Sequence, residues 1–376
     1  MKTRMNNSKV YCNHIQKGLF VSHRGIGLCC TNPDKNKDIL PSEFWSGPTR
    51  SNALIKMNNG DPVKGCHNCY KTEANRMNSP RTFAHIYDDL PTMELPTHLD
   101  LDFSNFCNLK CVMCDLTRSS EWAKDVGESV STVTKDMLDD LAGISDHVQR
   151  ICIQGGEPTI MPEFEYYFSL LEQKGLIKNI ELMMITNATN VNAKFYELLK
   201  GFKKVRLTVS VDAYGMANDY IRWPSNFSQI ERNLMKMSDL PKNMEVEIFN
   251  TLNMLSMFNY GEFLEWCKKI EKVFDRKGKL FKIVPMKVEG PKKYSPFCAP
   301  TNLKNKLIAD VKTFMEKDNL NHNSNWKTET MMIMKRLDNS TVDPEVLEDL
   351  KKTVTELDKE RNKKITDYIP DFYKYI

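Results

Sequence analysis

Three cysteines, Cys107, Cys111 and Cys114, stand close together with C-x3-C-x2-C spacing. Thiolates hold iron–sulfur clusters, and four of them saturate the four irons of a cubane. Three thiolates on one short loop would leave one iron open, much as a catalytic zinc ion keeps one position free. A zinc site or three buried thiols are the alternatives, but structural zinc sites favour paired C-x2-C units with a fourth ligand. The spacing therefore indicates a catalytic cluster with one open metal position.

A glycine-rich segment, with Gly155, Gly156 and Glu157 at its centre, ends the second predicted strand. Glycines allow close backbone approach and unusual dihedral angles. The Glu157 carboxylate can accept hydrogen bonds from an ammonium group. An ordinary strand-to-helix turn is the alternative. The position of this segment, one βα unit after the cysteine loop, favours a ligand-binding role.

Polar residues at the ends of later strands are further candidates for ligand binding. Ser210 and Asp212 share one face of a predicted strand, because alternate residues of a strand point the same way. Arg222 could pair with a carboxylate, since a guanidinium offers a matching pair of donors. Asn187 ends the third strand and is a candidate of the same kind. A strand-end turn is the alternative for Ser210 and Asp212, and a surface charge is the alternative for Arg222.

Five more cysteines occur near the N-terminus: Cys12, Cys29, Cys30, Cys66 and Cys69. Cys66 and Cys69 form a C-x2-C pair. With Cys12 and one member of the Cys29–Cys30 doublet they supply four thiolates, which saturate either a zinc ion or a [4Fe–4S] cluster. This part of the chain has few long apolar runs, so a bound metal would stabilise it.

The elements that must position these residues alternate between strands and helices. Predicted strands cover 98–104, 150–154, 180–186, 205–212, 244–252 and 280–288, with helices at 162–173, 192–200, 226–238 and 258–272. Such alternation predicts a parallel α/β sheet. Six units predict a partial (β/α)6 barrel resembling a TIM barrel, in which the active site lies at the carboxyl ends of the strands.

The sequence divides into three predicted regions. Residues 1–90 form a small Cys-rich module, residues 97–290 form the barrel, and residues 291–376 form a helical extension. Within the extension, the segment from Pro344 to Lys364 has charges at helical spacing and an acidic first turn. We interpret it as a solvated helix that packs on the barrel.

Composition excludes few classes of function. The formal net charge of +4 comes from 53 basic and 49 acidic residues, so no strong field for nucleic acid or a membrane is expected. Neither a signal peptide nor an apolar run long enough to span a bilayer is evident. We therefore expect a cytoplasmic protein, in which eleven cysteines are better explained by metal binding than by disulfides.

The cysteine loop and the glycine-rich segment together resemble the radical S-adenosylmethionine (radical SAM) superfamily over roughly residues 97–290. The resemblance implies that Cys107, Cys111 and Cys114 hold a [4Fe–4S] cluster, whose open iron binds S-adenosylmethionine. It also implies that Gly155, Gly156 and Glu157 bind the cofactor's amino group. A similar Ser-x-Asp element in the family contacts the cofactor's ribose or carboxylate, which implies that role for Ser210 and Asp212, and Arg222 could pair with the carboxylate. The residue before the third cysteine is often aromatic in the family and is methionine here.

The N-terminal module is similar to the auxiliary-cluster domains called SPASM or twitch. The match covers the C-x12-G-x4-C run from Cys12 to Cys30 and the closing Cys66–Cys69 pair. It implies an auxiliary [4Fe–4S] cluster with Cys12, Cys30, Cys66 and Cys69 as ligands and Cys29 as the spare. A zinc site remains the alternative. Such modules usually follow the barrel, whereas this one precedes it.

These resemblances imply an enzyme that reductively cleaves S-adenosylmethionine. The resulting 5′-deoxyadenosyl radical would abstract hydrogen from a substrate, and similarity to auxiliary-cluster maturases suggests a peptide or protein side chain. The expected partners are that substrate and an electron donor such as flavodoxin or ferredoxin, with no membrane or nucleic acid. The alternative is a non-catalytic iron–sulfur or zinc-binding scaffold.

Overall fold

The chain divides into two compact units, each assembled from several segments. The computed structural model describes residues 10–74, 79–191, 193–317 and 324–376. Unit 1 comprises residues 1–107, 123–184 and 199–205. Unit 2 comprises residues 108–122, 185–198 and 206–376.

The described residues contain eight named strands in one mostly parallel sheet. They are β1 Gly18–Ser22, β2 Gly25–Gly27, β3 His98–Asp102, β4 Arg150–Ile153, β5 Glu181–Thr186, β6 Lys204–Ser210, β7 Met244–Leu252 and β8 Phe281–Lys287. The order across the sheet is β2-β1-β3-β4-β5-β6-β7-β8. β1 pairs antiparallel with β2 and parallel with β3. The pairs β3–β4, β4–β5 and β7–β8 are also parallel. The fold class is therefore α/β, as the sequence predicts.

Helices occupy most of the connections. The α-helices are Asn13–Lys17, Pro41–Ser46, Pro48–Asn59, His67–Ala74, Pro80–Phe83, Ser120–Asp125, Lys135–Gly143, Pro162–Gln173, Ala193–Lys200, Met216–Ile221, Phe227–Met237, Tyr260–Arg276, Thr301–Lys317, Ser324–Asp338, Pro344–Arg361, Ile365–Tyr368 and Phe372–Tyr375. Short 3-10 helices cover Ala84–Tyr87, Pro158–Ile160, Ile177–Asn179, Ser256–Asn259, Lys292–Tyr294 and Pro296–Cys298. No helix among the described residues combines the length and apolar character that a membrane span requires.

In unit 1 the core lies between the sheet and amphipathic helices. The helix Pro162–Gln173 begins with proline at its first position and buries Phe164, Tyr167, Phe168 and Leu171. That spacing places the four side chains on one face. Strand β5 alternates between buried and half-buried residues, so only one of its faces is fully covered.

In unit 2 the C-terminal region supplies a long helix, Pro344–Arg361, which we call the extension helix. It begins at Asp343, whose side chain accepts a hydrogen bond from the backbone N–H of Val346. Such a cap satisfies one of the free N–H groups of the first turn. The buried residues of this helix are Leu350, Val354, Leu357 and Arg361. An arginine therefore ends the apolar stripe.

The six predicted barrel strands coincide with β3 to β8 within one or two residues at most ends, and the four predicted helices are also present. The strand β1 was not predicted. It lies inside the predicted Cys-rich module and pairs residue by residue with β3, from Gly18 opposite His98 to Ser22 opposite Asp102.

Candidate functional site

The cysteine loop follows β3 and contains two buried thiols and one half-buried thiol. Cys107 is 7% exposed and Cys111 is 5% exposed, whereas Cys114 is half-buried. The backbone N–H of Cys114 donates to the carbonyl of Cys111 at 3.1 Å. In unit 2 the Trp122 indole N–H donates to the same carbonyl at 2.9 Å. These bonds fix the second half of the loop in a tight turn.

The surroundings of Cys111 favour its thiolate form. A hydrogen bond from the Cys114 thiol lowers the pKa of Cys111 most, and the positive charges of Arg222 and Arg361 lower it further. Burial acts in the opposite direction. Because the thiolate is the form of cysteine that binds metals, the loop is electrostatically suited to hold a metal centre.

The glycine-rich segment lies against the backbone that leads into Cys107, within unit 1. The N–H of Gly156 donates to the Ser104 carbonyl at 3.0 Å, and the N–H of Glu157 donates to the Phe106 carbonyl at 2.8 Å. A Cβ atom on Gly156 would lie 2.1 Å from the Phe106 oxygen. Only glycine permits this approach. The close packing against the Phe106 carbonyl therefore explains why this position of the glycine-rich segment is a glycine.

Gly155 and Glu157 complete the same turn. Gly155 has φ +116°, and a Cβ atom there would lie 2.5 Å from a carboxylate oxygen of Asp102. The Glu157 carboxylate is fully buried and accepts hydrogen bonds from the backbone N–H and hydroxyl of Thr159, at 3.1 and 2.7 Å. The carboxylate therefore starts the following 3-10 helix.

In unit 2 Asn187 contacts the cysteine loop directly. Its amide donates to the side-chain oxygen of Asn108 at 2.9 Å, and Asn108 donates to the Thr189 hydroxyl at 2.8 Å. The structure therefore brings the predicted candidate Asn187 together with the residue that follows Cys107.

Asp212 and Arg222, both predicted to bind a ligand, form a buried ion pair at 2.8 Å. The other oxygen of the fully buried Asp212 carboxylate accepts from the backbone N–H of Thr251 at 3.0 Å. Ser210, the last residue of β6, is also buried. Protein groups thus occupy both oxygens of Asp212, and the carboxylate orients the guanidinium.

Arg222 keeps one donor for a ligand. Its Nε is buried and has no hydrogen-bond partner among the described residues. The charges of Cys111 and Cys114, together with Asp212, raise the pKa of the guanidinium. An anionic cluster on these two cysteines would give the Nε–H an acceptor, so the donor set fits a thiolate-bound cluster.

In unit 1 three of the four N-terminal cysteines predicted as ligands act on one another electrostatically. The negative charge of Cys69 raises the pKa of both Cys12 and Cys66, in addition to the effect of burial. The charge of Cys29 does the same to both residues. Burial raises the pKa of Cys12 to about 11 and that of Cys66 to about 12.

Cys30, the doublet member that the sequence favours as a ligand, is engaged elsewhere. Its thiol hydrogen-bonds to the carboxylate of Asp100 on β3. Burial raises the pKa of Asp100 to about 6. Within the described ranges, no set of three or more His, Cys, Asp or Glu side chains forms a ready-made site for a metal ion.

Two residues near the cysteine loop escaped the sequence analysis, Trp122 and Arg361. Trp122 bonds the Cys111 carbonyl, as described above. Arg361 ends the extension helix and is 6% exposed. The burial of Arg361 could have been predicted from its position, since it continues the buried stripe of Leu350, Val354 and Leu357.

Comparison with known proteins finds a similarity over part of the chain. Residues 101–270 match the family model described as the radical SAM superfamily. No curated protein matches the sequence significantly. Among solved structures, native anSMEcpe with bound AdoMet is 21% identical, with a TM-score of 0.40, and the alignment covers 60% of this chain and 62% of that one.

Two further similar structures are of SuiB from Streptococcus suis. The form bound to S-adenosylmethionine is 15% identical, with a TM-score of 0.41 and coverage of 73% of this chain and 60% of that one. The form bound to the precursor peptide SuiA is 18% identical, with a TM-score of 0.42 and coverage of 78% and 56%. The alignments therefore span less than two thirds of the length of these solved structures.

Proposed function

We propose that this chain, whose residues 101–270 match the radical SAM superfamily model, is a radical SAM enzyme that reductively cleaves S-adenosylmethionine. The observation that carries the proposal is the C-x3-C-x2-C loop with the glycine-rich segment hydrogen-bonded to the backbone just before it. The first feature supplies thiolates with an open metal position, and the second supplies a close-fitting backbone turn.

In this proposal Cys107, Cys111 and Cys114 hold a [4Fe–4S] cluster. When bound, the cluster would supply one electron for the reductive cleavage of S-adenosylmethionine to methionine and a 5′-deoxyadenosyl radical, which would abstract hydrogen from the substrate. The residues of the chain bind the cluster and the cofactor, orient them and exclude water from the site. The hydrogen bond from the Cys114 thiol and the charges of Arg222 and Arg361 lower the pKa of Cys111, which favours the thiolate form that binds metals.

We assign the amino group of S-adenosylmethionine to the turn of Gly155, Gly156 and Glu157. The absence of side chains on the two glycines lets a ligand approach the backbone closely. Hydrogen bonds from Thr159 fix the Glu157 carboxylate. A fixed acceptor loses little conformational freedom when an ammonium group binds.

The remaining cofactor contacts are assigned to polar residues of unit 2. Arg222 has a free Nε–H and is held by Asp212, so it is suited to bind an anionic group. Ser210 and Asn187 are assigned to the cofactor as well. Asp212 acts mainly by orienting Arg222, because its own oxygens are already occupied.

The N-terminal cysteines are proposed to hold an auxiliary [4Fe–4S] cluster, with zinc as the alternative metal. Cys12, Cys66 and Cys69 are three of the ligands. Cys29 is proposed as the fourth ligand in place of Cys30, because the Cys29 charge acts on Cys12 and Cys66 whereas Cys30 bonds to Asp100. Metal analysis distinguishes the alternatives: two cubanes require about eight irons per chain, and one cubane with zinc requires about four.

The proposal also covers the domain organisation, the substrate and the electron donor. We propose a partial barrel over residues 97–290, an auxiliary module over residues 1–90 and an extension over residues 291–376. The substrate is proposed to be a peptide or protein side chain, and the electron donor a flavodoxin or ferredoxin in the cytoplasm. The resemblance of the N-terminal cysteine pattern to SPASM or twitch modules supports the auxiliary module and the peptide or protein substrate.

An anaerobic assay tests the central proposal without a known substrate. Reconstituted protein with dithionite and S-adenosylmethionine is expected to form 5′-deoxyadenosine slowly. Cys111→Ala is expected to lose both the product and about four irons, whereas Cys298→Ala, a half-buried cysteine outside the loop, keeps them. Wild-type protein that carries a full cluster and yet forms no 5′-deoxyadenosine would favour the scaffold alternative.

A further inference from the structure

A buried arginine at the end of the extension helix has no role in the proposed chemistry so far. Arg361 is 6% exposed, although the neighbouring Lys359 and Glu360 are exposed. A buried guanidinium is costly unless it is hydrogen-bonded or paired. Its partners therefore indicate what it does.

Those partners are two backbone carbonyls, one of them in the cysteine loop. Arg361 Nη1 donates to the Tyr220 carbonyl at 2.8 Å, and Nη2 donates to the Lys110 carbonyl at 3.3 Å. The guanidinium carbon also lies 5.0 Å from the ring centroid of Tyr220 and 5.4 Å from that of Trp223. Because Lys110 immediately precedes Cys111, one planar group holds both the loop and a second segment.

The two segments are already joined by backbone hydrogen bonds. The N–H of Lys110 donates to the Trp223 carbonyl at 2.5 Å, and the N–H of Val112 donates to the Ile221 carbonyl at 2.8 Å. These two bonds flank Cys111 on both sides. From the end of the extension helix, Arg361 donates hydrogen bonds to the same two segments.

A second contact ties the same helix end to the loop. The Lys110 ammonium forms an ion pair with Glu360 and lies 4.5 Å from the ring centroid of Trp122. Glu360 is about half exposed, so this ion pair contributes little to stability. The buried guanidinium is the stronger of the two links.

The charge of Arg361 also reaches the metal-binding thiol. Arg361 Nη2 donates to the carbonyl of Lys110, the residue that immediately precedes Cys111. A guanidinium remains a cation in proteins. A fixed positive charge beside a cluster ligand favours the more negative, reduced state of the cluster.

We propose that Arg361 is a positioning residue for the cluster loop, which holds the Lys110 carbonyl and raises the reduction potential of a cluster bound by Cys107, Cys111 and Cys114. The positioning of the loop does not depend on a bound cluster, whereas the effect on the reduction potential rests on the proposed function. The helical extension is thus part of the cofactor-binding apparatus and not only a cover for the core.

Three variants of the full-length chain separate these effects. Arg361→Met removes the charge and both hydrogen bonds. Arg361→Lys keeps the charge but cannot donate to both carbonyls in the geometry of a planar guanidinium. Lys359→Met is the matched control, because it removes the same charge from an exposed position on the same last turn.

Hydrogen exchange of the loop in metal-free protein tests the positioning role. Amides of the peptide 107–114 are expected to exchange roughly tenfold faster or more in Arg361→Met and Arg361→Lys, as the loss of a hydrogen bond to a charged group predicts. Lys359→Met should exchange at the wild-type rate. Unchanged exchange in both Arg361 variants overturns the positioning role, whether or not a cluster binds.

The midpoint potential of the anaerobically reconstituted cluster, measured by a dithionite titration followed by electron paramagnetic resonance, tests the electrostatic role. Arg361→Met should shift the potential to more negative values, and Arg361→Lys should restore most of the shift. If Arg361→Met does not fold, the comparison of Arg361→Lys with wild type in hydrogen exchange decides the positioning role. A potential that is unchanged in Arg361→Met overturns the electrostatic role alone. Wild-type protein that binds no cluster overturns the proposed function and the electrostatic role together.

Discussion

Replacing Gly156 with alanine would place a methyl carbon 2.1 Å from the carbonyl oxygen of Phe106 and 2.6 Å from its carbonyl carbon. Both atoms are backbone, so no side chain can rotate away. The turn must retreat by more than about 1 Å to reach ordinary van der Waals contact. That movement breaks the bonds from Gly156 to Ser104 and from Glu157 to Phe106.

The cost can be worked from those two bonds. Each is worth about 0.5–1.5 kcal/mol net, and overpacking of a tight site adds about 1–3 kcal/mol. Gly156→Ala should therefore lower the free energy of unfolding by about 2–6 kcal/mol. If the turn relaxes locally instead, the penalty falls on ligand binding, where each 1.4 kcal/mol is tenfold in the dissociation constant.

Two measurements and one control make this prediction decisive. Urea unfolding reports the stability, and equilibrium dialysis of reconstituted protein reports the affinity for S-adenosylmethionine. Gly143→Ala is the control, because Gly143 ends the helix Lys135–Gly143 and a Cβ there meets nothing within 4 Å. Gly143→Ala should be neutral or slightly stabilising. Wild-type stability and affinity in Gly156→Ala would refute the account of this turn.

Three further predictions concern other groups. Cys29→Ala should lower the metal content of the N-terminal site and Cys30→Ala should retain it, and iron, sulfide and zinc analysis would reject the assignment if the order were reversed. Asp212→Asn should cost about 3–5 kcal/mol in chemical denaturation, because it leaves the buried Arg222 charge without its counter-ion; a cost below about 1 kcal/mol would contradict a buried ion pair. Burial raises the pKa of Asp219 from 3.8 to about 6, so the folded protein binds a proton that the unfolded chain releases, and stability should fall as pH rises between about 4 and 6. Asp219→Asn should reduce that fall, with the remainder due to Asp100, whose pKa is also raised to about 6; an identical pH profile of the unfolding midpoint would exclude the effect of Asp219.

The sequence predicted the strands well because hydrophobic runs and flanking turns are local signals. β3 to β8 appear at the expected positions. β1 was missed because Gly18–Ser22 is short and fully buried, and such a run carries no alternation of polar and apolar residues. Its pairing with β3 joins segments that are about eighty residues apart, which no local pattern reveals.

The site was predicted at the level of motifs but not at the level of contacts. The cysteine spacing and the glycine-rich turn are local, and the structure gives Gly156 a steric reason. The partners of Asp212 are not local: Thr251 lies on another strand, and the pairing with Arg222 depends on how the intervening helix folds back. A strand-end carboxylate looks the same in sequence whether it binds a ligand or orients an arginine.

Arg222 and Arg361 show why the loop needs charge as well as packing. Three thiolates on a cubane make a negatively charged group, and burying such a group without compensation is costly. Both arginines act on Cys111, and each keeps a buried Nε without a hydrogen-bond partner among the described residues. Asp212 neutralises Arg222, whereas Arg361 donates only to uncharged carbonyls. Arg361 therefore adds a buried positive charge near the loop, and its removal should alter a bound cluster more than the removal of a surface lysine.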